Sequence, residues 1–271
     1  MKLKVVLYNI LNGFCNDNPP FKIDSKRVKS ALEIIAEQNP DILILTEAYF
    51  WPFAKKVDLE NLREVFSELY NEYTSLANGY FRWAPIILSK YPINNFDTSM
   101  SKYQLNFMRA NLQVGKNQLV LDVFHPHPDT TEEQKAEFLK PLLENCGENH
   151  LLVGDFNALS PQDDYDVPKL VKGYESFMKG KGKLKVGDML EYQTIKTILE
   201  RGFIDIYKKT NPDKKEFTMP TDLRSKNKDS AIRIDYMFCS DNFEVVESGV
   251  VKNKLTERAS DHYPVYATIK V

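Results

Sequence analysis

Leu151-Leu152-Val153-Gly154-Asp155-Phe156-Asn157 runs from three apolar residues straight into a carboxylate and a carboxamide. The apolar part reads as a buried strand, and the polar side chains stand where it ends. Ser260-Asp261-His262 sits at the end of a second apolar run. Arg233-Ile234-Asp235-Tyr236-Met237-Phe238 reads as a third strand, with an acid in its middle. Carboxylates at the ends of buried strands are costly to desolvate unless they meet a cation. Several of them in one fold suggest a site for a hard metal ion, because Mg²⁺ prefers oxygen ligands.

Outward from these segments, strands and helices alternate. Leu3 to Asn9 reads as a strand. Asp24 or Ser25 caps a helix whose apolar positions Val28, Ala31, Leu32, Ile35 and Ala36 follow the 3.6-residue period, and Asn39-Pro40 stops it. Asp41 to Thr46 is apolar on both faces, as in a central strand covered on both sides. Leu59 to Tyr70 reads as a helix, and Pro85 to Ser89 as a strand. Strands at Leu105 to Val114 and Gln118 to His125 are joined by a Gly115-Lys116-Asn117 turn. Thr130 and Glu133 form a capping box for a helix near 131 to 145, which Pro141 should kink or split. Met189 to Arg201 reads as one helix ended by Gly202. Strands follow at 231 to 239, 243 to 251 and 263 to 270. So many strands exceed one ordinary sheet. The expected class is α/β (α+β), a four-layer sandwich of two packed mixed sheets flanked by helices, formed by residues 1–271 as a single domain.

Hydrophobic residues make up 42% of the 271 positions and charged residues 27%, as in an ordinary soluble globular protein. No apolar run approaches the roughly 20 residues that span a bilayer. The start, Met1-Lys2-Leu3-Lys4-Val5-Val6, is too strand-like for a signal peptide. Three widely spaced cysteines, Cys15, Cys146 and Cys239, make neither a disulfide framework nor a zinc motif, so a cytoplasmic location is expected. The net charge of −2 counts against avid sequence-independent duplex binding, though not against a local basic patch.

The polar residues at strand ends, in order, are Asn9, Glu47, His125, Asp155, Asn157, Asp235, Asp261 and His262. Each alone has a structural reading as a turn or cap residue; their joint occurrence does not. The chain resembles the endonuclease/exonuclease/phosphatase superfamily over nearly its whole length and in the correct order. This group includes abasic-site nucleases, pancreatic deoxyribonuclease, deadenylases, inositol polyphosphate 5-phosphatases and bacterial sphingomyelinases. Tyr8-Asn9-Ile10-Leu11 resembles its first-strand motif. Leu45-Thr46-Glu47 resembles its Leu-Gln-Glu motif, with Thr46 in place of Gln. His125-Pro126 stands for its His-Leu motif. Gly154-Asp155-Phe156-Asn157, Arg233-Ile234-Asp235-Tyr236 and Ser260-Asp261-His262 match without change.

The resemblance implies a deoxyribonuclease I-like fold and metal-assisted hydrolysis of phosphoesters by in-line attack of water. Glu47, helped by Asn9 and Asp261, is expected to hold Mg²⁺, with Mn²⁺ as a substitute. His262 is expected to serve as general base or electrostatic partner of the water, oriented by Asp235. Asp155 and Asn157 should position the water and a phosphate oxygen, and His125 should donate to the phosphate or leaving oxygen. Whether Asp155 or His262 removes the water proton stays open. His127 reads as an exposed loop histidine, and His150, which begins a strand, reads as structural.

A nuclease acting on DNA or RNA is the first expectation for substrate. A phosphodiesterase or phosphatase for a small molecule or lipid head group is the alternative, and a non-catalytic binding domain is the third. Lys169, Lys172, Lys179, Lys181, Lys183 and Lys185 follow Asn157, while Lys208, Lys209, Lys214, Lys215, Arg224, Lys226 and Lys228 precede Asp235. Both groups read equally well as a face for an anionic substrate or as a solvated surface. Tyr49, Phe50 and Trp51, and Tyr80, Phe81 and Trp83 around Arg82, read as packing under loops, with base stacking as the alternative.

Overall fold

The computed structural model describes residues 1–15, 22–48, 72–74, 85–101, 105–144, 146–177 and 186–271. The first sheet contains β1 (Lys2–Asn9), β2 (Ile42–Thr46), β3 (Glu72–Thr74), β4 (Ile86–Ser89), β11 (Glu244–Val250) and β12 (Val265–Lys270), in the order β11-β12-β1-β2-β4-β3. The second contains β5 (Ile93–Asp97), β6 (Leu105–Val114), β7 (Asn117–Pro126), β8 (His150–Asp155), β9 (Ile204–Asp205) and β10 (Asp235–Cys239), in the order β5-β6-β7-β8-β10-β9. Each sheet has one parallel pair near its centre, β1 with β2 and β7 with β8, and is antiparallel elsewhere. The helices among the described residues are α1 (Ser25–Gln38), α2 (Glu132–Glu144), α3 (Val167–Phe177), α4 (Val186–Met189), α5 (Gln193–Glu200), α6 (Ile206–Thr210) and α7 (Thr256–Ala259). The expected class, two mixed sheets flanked by helices, is the one found.

Alternation along the strands builds three layers of apolar packing. Leu3, Val5 and Leu7 of β1, Ile42 and Ile44 of β2, Leu121 and Val123 of β7, and Leu151 and Val153 of β8 fill the space between the sheets. The intervening Val6, Tyr8, Leu43 and Leu45 face outward into the cluster that holds Ala31, Ile34 and Ile35 of α1. Phe124, Leu152, Tyr236 and Phe238 face the other way, against Leu139 and Leu142 of α2 and Ile195 and Ile198 of α5. β2 is buried at every position, as a strand covered on both faces must be.

Local signals explain the ends of α1. The Asp24 side chain accepts hydrogen bonds from the Lys26 and Arg27 amides, and Asn39 closes the helix in the left-handed region at φ 43°. β6 and β7 are joined by the two residues Gly115-Lys116, with Gly115 at φ 62°.

Several expectations are corrected. The capping box of α2 is made by Thr131 and Gln134, whose side chains accept from each other's amides at 3.2 and 3.1 Å. α2 runs unsplit through Pro141, because the proline falls in its final turns and removes one donor there. The helix expected over Met189 to Arg201 is two, α4 and α5, since Tyr192 takes a left-handed conformation at φ 57° between them. β10 starts at Asp235, so the acid opens the strand instead of lying in its middle. The helix expected at Leu59 to Tyr70 lies outside the described residues, as do Tyr49, Phe50, Trp51, Tyr80, Phe81, Arg82, Trp83, Lys179, Lys181, Lys183 and Lys185.

Candidate active site

The topology gathers the predicted residues at one end of both sheets. β1, β2, β7 and β8 all leave toward that end. β10, antiparallel to β8, enters there with Asp235 opposite Asp155, and β12, antiparallel to β1, enters just after His262. The apolar inward positions continue into polar ones. Leu3, Val5 and Leu7 lead to Asn9, and Leu121 and Val123 lead to His125. Leu151 and Val153 lead to Asp155, and Cys239 and Met237 lead back to Asp235. The polar cluster is therefore the floor of the intersheet core where that core reaches the surface.

Asp155 Oδ2 lies at its centre. It accepts from Asn9 Nδ2 at 3.0 Å, while His262 Nε2 stands 3.8 Å away and His125 Nε2 3.9 Å away. Asn9 Nδ2 also donates to Glu47 Oε1 at 3.1 Å, and the Asn12 amide donates to Glu47 Oε2 at 2.8 Å. Asp155 Oδ1 accepts from the Asn157 amide at 2.9 Å, and Asn157 Nδ2 donates to the Pro126 carbonyl at 3.0 Å. His262 Nδ1 lies 2.8 Å from Asp235 Oδ2. Asp261 adjoins His262 in sequence and feels the charges of both His262 and Glu47. All eight residues are thus brought together, and Asp155, Asp235, Asp261, His125 and His262 are buried.

The backbone here is held in unusual conformations. Glu47 and Asn157 have φ of 52° and 46°, costs that persist only where surrounding bonds fix the geometry. Gly154 has φ 152°, and a Cβ there would sit 1.9 Å from the Phe124 carbonyl oxygen, so glycine is what lets β8 approach β7 beside Asp155.

Burial raises the Asp155 pKa, helped by the Asp235 charge and opposed by His262, His125 and the Asn157 amide. Burial and the Glu47 charge raise Asp261 likewise, against His262 and nearby arginines. For His262 burial acts downward, but Asp235, Asp155 and Asp261 outweigh it and hold the ring well above the usual histidine range. A cation suits this donor set. Asp235 Oδ1 and Asp261 Oδ1 are buried without a hydrogen-bond partner among the described residues, and one ligand atom each from Glu47, His125 and Asp155 lie within 4.8 Å of one another. Hard oxygen donors with spare lone pairs fit a hard divalent ion.

A model of the Endonuclease/Exonuclease/phosphatase family matches residues 6–262. The chain belongs to that family. Its members hydrolyse phosphoester bonds, and the protein is an enzyme of this class. A search of curated proteins returns no significant match. Solved structures share the fold at low identity. An AP endonuclease from Archaeoglobus fulgidus is 20% identical, with TM-score 0.68 over 99% of this chain and 100% of that one. A 3' phosphatase from Neisseria bound to a product DNA hairpin is 18% identical, with TM-score 0.66 over 98% of each chain. TDP2 from D. rerio complexed with a single-strand DNA product is 13% identical, with TM-score 0.65 over 100% of this chain and 99% of that one.

Other functional supports lay outside the sequence reading. The buried Arg27 guanidinium donates to the carbonyls of Ile10, Leu11, Cys15 and Ala259 at 2.8–3.0 Å, tying the turn after Asn9 to the segment before Asp261. Thr218 Oγ1 accepts from the amides of Ile234 and Asp235, and its carbonyl accepts from the Tyr263 amide. Nothing in the composition around Arg27 or Thr218 marks them, because both act on backbone groups distant in sequence. His150 is buried, with Nε2 2.9 Å from Oδ2 of Asp122, whose two carboxylate oxygens also accept a two-pronged bond from Arg109.

Several of the described basic residues near β10 are paired with acids. Lys208 pairs with Asp163, Lys215 with Asp164, Lys169 with Asp229 and Lys228 with Asp222. Among the described residues no helix is long and apolar enough to cross a membrane.

Proposed function

We propose that the protein is a Mg²⁺-dependent phosphodiesterase that cleaves DNA or RNA by in-line attack of water. The observation that carries this reading is the convergence on Asp155 Oδ2 of the Asn9 amide at 3.0 Å and two imidazoles at 3.8 and 3.9 Å. Both imidazole distances exceed a hydrogen bond, so Asp155 Oδ2 engages neither ring directly. Glu47, with Asn9 and Asp261, would hold the metal. When bound, the dication neutralises phosphate charge and orients the ester. Asp155 and Asn157 orient the attacking water, His262 serves at Nε2 as general base or electrostatic partner of that water while Asp235 fixes Nδ1, and His125 donates to a phosphate or leaving oxygen. The nucleic-acid choice rests on the DNA-bound relatives of the same fold. The absence of any disulfide among the free Cys15, Cys146 and Cys239 is consistent with a cytoplasmic enzyme.

A second reading, a phosphoesterase for a small molecule or lipid head group, is favoured by one observation. Lys208, Lys215 and Lys228 beside β10 are each paired with an aspartate, which reduces the positive charge they offer to a polyanion. An activity panel with Mg²⁺ and Mn²⁺ separates the readings. It includes abasic duplex, single-stranded DNA, RNA, bis-p-nitrophenyl phosphate, sphingomyelin and inositol phosphates. Nucleic-acid cleavage that EDTA abolishes, that Mg²⁺ restores and that Glu47→Gln loses at limiting Mg²⁺ is expected. Turnover of only a small phosphoester would replace the first reading by the second.

A further inference from the structure

Lys135 of α2 has no exposed surface, and its partner Glu132 is 2% exposed. Lys135 Nζ donates to Glu132 Oε1 at 3.1 Å and to the main-chain carbonyl of Asn157. Glu132 Oε2 accepts from the Thr194 amide at 2.9 Å, at the start of α5. A buried ion pair of this kind is weak evidence for stability, since a well-packed apolar pair of similar volume is commonly as stable or more so. What an apolar pair lacks is a donor for the Asn157 carbonyl.

That carbonyl belongs to a residue of the site that is itself tightly held. Asn157 sits at φ 46°, its amide holds Asp155 Oδ1, and its side chain holds Pro126 next to His125. Three bonds, from the carbonyl, the amide and the carboxamide, therefore fix one left-handed turn. Lys135 supplies the carbonyl's bond from beneath the site. We propose that Lys135 is a positioning residue, which through Asn157 fixes Asp155 and the His125 loop in the arrangement that turnover requires. This inference rests on the hydrolytic reading above. The Asp155 charge in turn supports the buried ammonium, whose pKa burial pulls down.

The test is the pair of variants Lys135→Met/Glu132→Gln, which removes both charges together so that no unpaired charge is buried and only the Asn157 carbonyl loses its donor, and Leu139→Ala in the same helix, which loosens α2 without touching Asn157. Steady-state hydrolysis of bis-p-nitrophenyl phosphate with Mg²⁺ and amide hydrogen exchange at Asn157 are measured, alongside thermal melting. In the double variant kcat should fall on the order of 10²-fold with little change in KM, as for small misplacements of reacting groups. Asn157 exchange should quicken while Val153 in β8 stays protected. Leu139→Ala should lower the melting temperature and leave kcat within about twofold. Asn157→Ala should cost less in the double variant than it does in the wild-type protein, because part of what Asn157 contributes is already lost. A folded double variant with wild-type kcat and wild-type Asn157 exchange would overturn the proposal. If it does not fold, Lys135→Arg is decisive, because a bulkier fork in the same space must displace the Asn157 carbonyl, and unchanged exchange and kcat would overturn the proposal equally. If the wild-type protein hydrolyses nothing, the hydrolytic reading fails, while the exchange comparison still tells whether Lys135 holds Asn157.

Discussion

His262 presents Nδ1 to Asp235 Oδ2 at 2.8 Å. The bond fixes the ring so that Nε2 faces Asp155, 3.8 Å away, where the proposed reaction puts the attacking water. Asp235 can do this because β10 begins at that residue, in register with Asp155 at the end of β8. Each of the two residues is therefore useful to the other: the carboxylate without the ring reaches nothing, and the ring without the carboxylate loses its tautomer.

The first prediction concerns that pair. His262→Ala and Asp235→Asn should each slow hydrolysis by about 10²-fold or more. The double variant should be scarcely slower than the worse single one, because residues acting as a unit lose their contribution once. The measurement is kcat/KM for all four proteins on one substrate. A double loss equal to the product of the single losses would mean that the two act independently.

Gly154 gives a prediction about how the site is built. Its φ of 152° and the 1.9 Å approach of a would-be Cβ to the Phe124 carbonyl oxygen leave no room for alanine. Gly154→Ala must push β8 from β7, whose ends carry Asp155 and His125. Unfolding free energy from urea titration should drop by about 3 kcal/mol or more, at the high end for single substitutions. A variant as stable as wild type would show that the strands can part at no cost.

How far the sequence reveals this site follows from the period of its strands. Leu3, Val5 and Leu7 alternate inward, and the next inward residue is Asn9; Leu151 and Val153 lead in the same way to Asp155. Burial on one face with polar termination is a local pattern and can be read from one chain. Other features escape because their cause is not local. β5, Ile93–Asp97, is an exposed edge strand with two consecutive asparagines, held by pairing with β6 and not by its own alternation. α3 carries Pro168 and Gly173, which argue locally against a helix, although proline is tolerated in a first turn. Lys135 reads as the solvent side of an amphipathic helix until the fold brings Asn157 beneath it. Arg27 serves carbonyls from three separate parts of the chain, information that no window around residue 27 contains.

Cys146 yields a pH dependence. Burial pushes its thiol up from 9.0 to about 11, with the Asp122 charge adding to the effect and Arg109 opposing it. A group whose pKa is raised in the folded state keeps a proton that the unfolded chain releases. Its stabilising contribution is therefore complete below pH 9.0 and is lost as pH rises through about 11. Since the thiolate is the nucleophile, iodoacetamide labelling of Cys146 in the native protein should climb about tenfold per pH unit beyond pH 9. Peptide mass spectrometry reads the rate. A plateau near pH 9 would contradict the assignment.

The last prediction concerns Arg233, which stands two residues before Asp235 and is buried. Its guanidinium bonds Asp163 at 2.9 and 3.1 Å and Asp205 at 2.8 and 3.2 Å, and it lies 4.4 Å from the Tyr236 ring centroid. One planar fork thereby joins the loop after Asn157 to β9 and to the entry of β10. Arg233→Met should cost about 3–5 kcal/mol, because Asp205 is then buried without its main countercharge and Asp163 keeps only Lys208. Arg233→Lys should recover little of this, since a single ammonium cannot make four bonds to two carboxylates. Asp205→Asn combined with Arg233→Met should be less destabilised than Arg233→Met alone, because one orphaned charge is gone. Chemical denaturation of the three variants measures the order. If Arg233→Lys matched wild type, the geometry of the fork would be irrelevant and the charge alone would hold β10, and with it Asp235, in place.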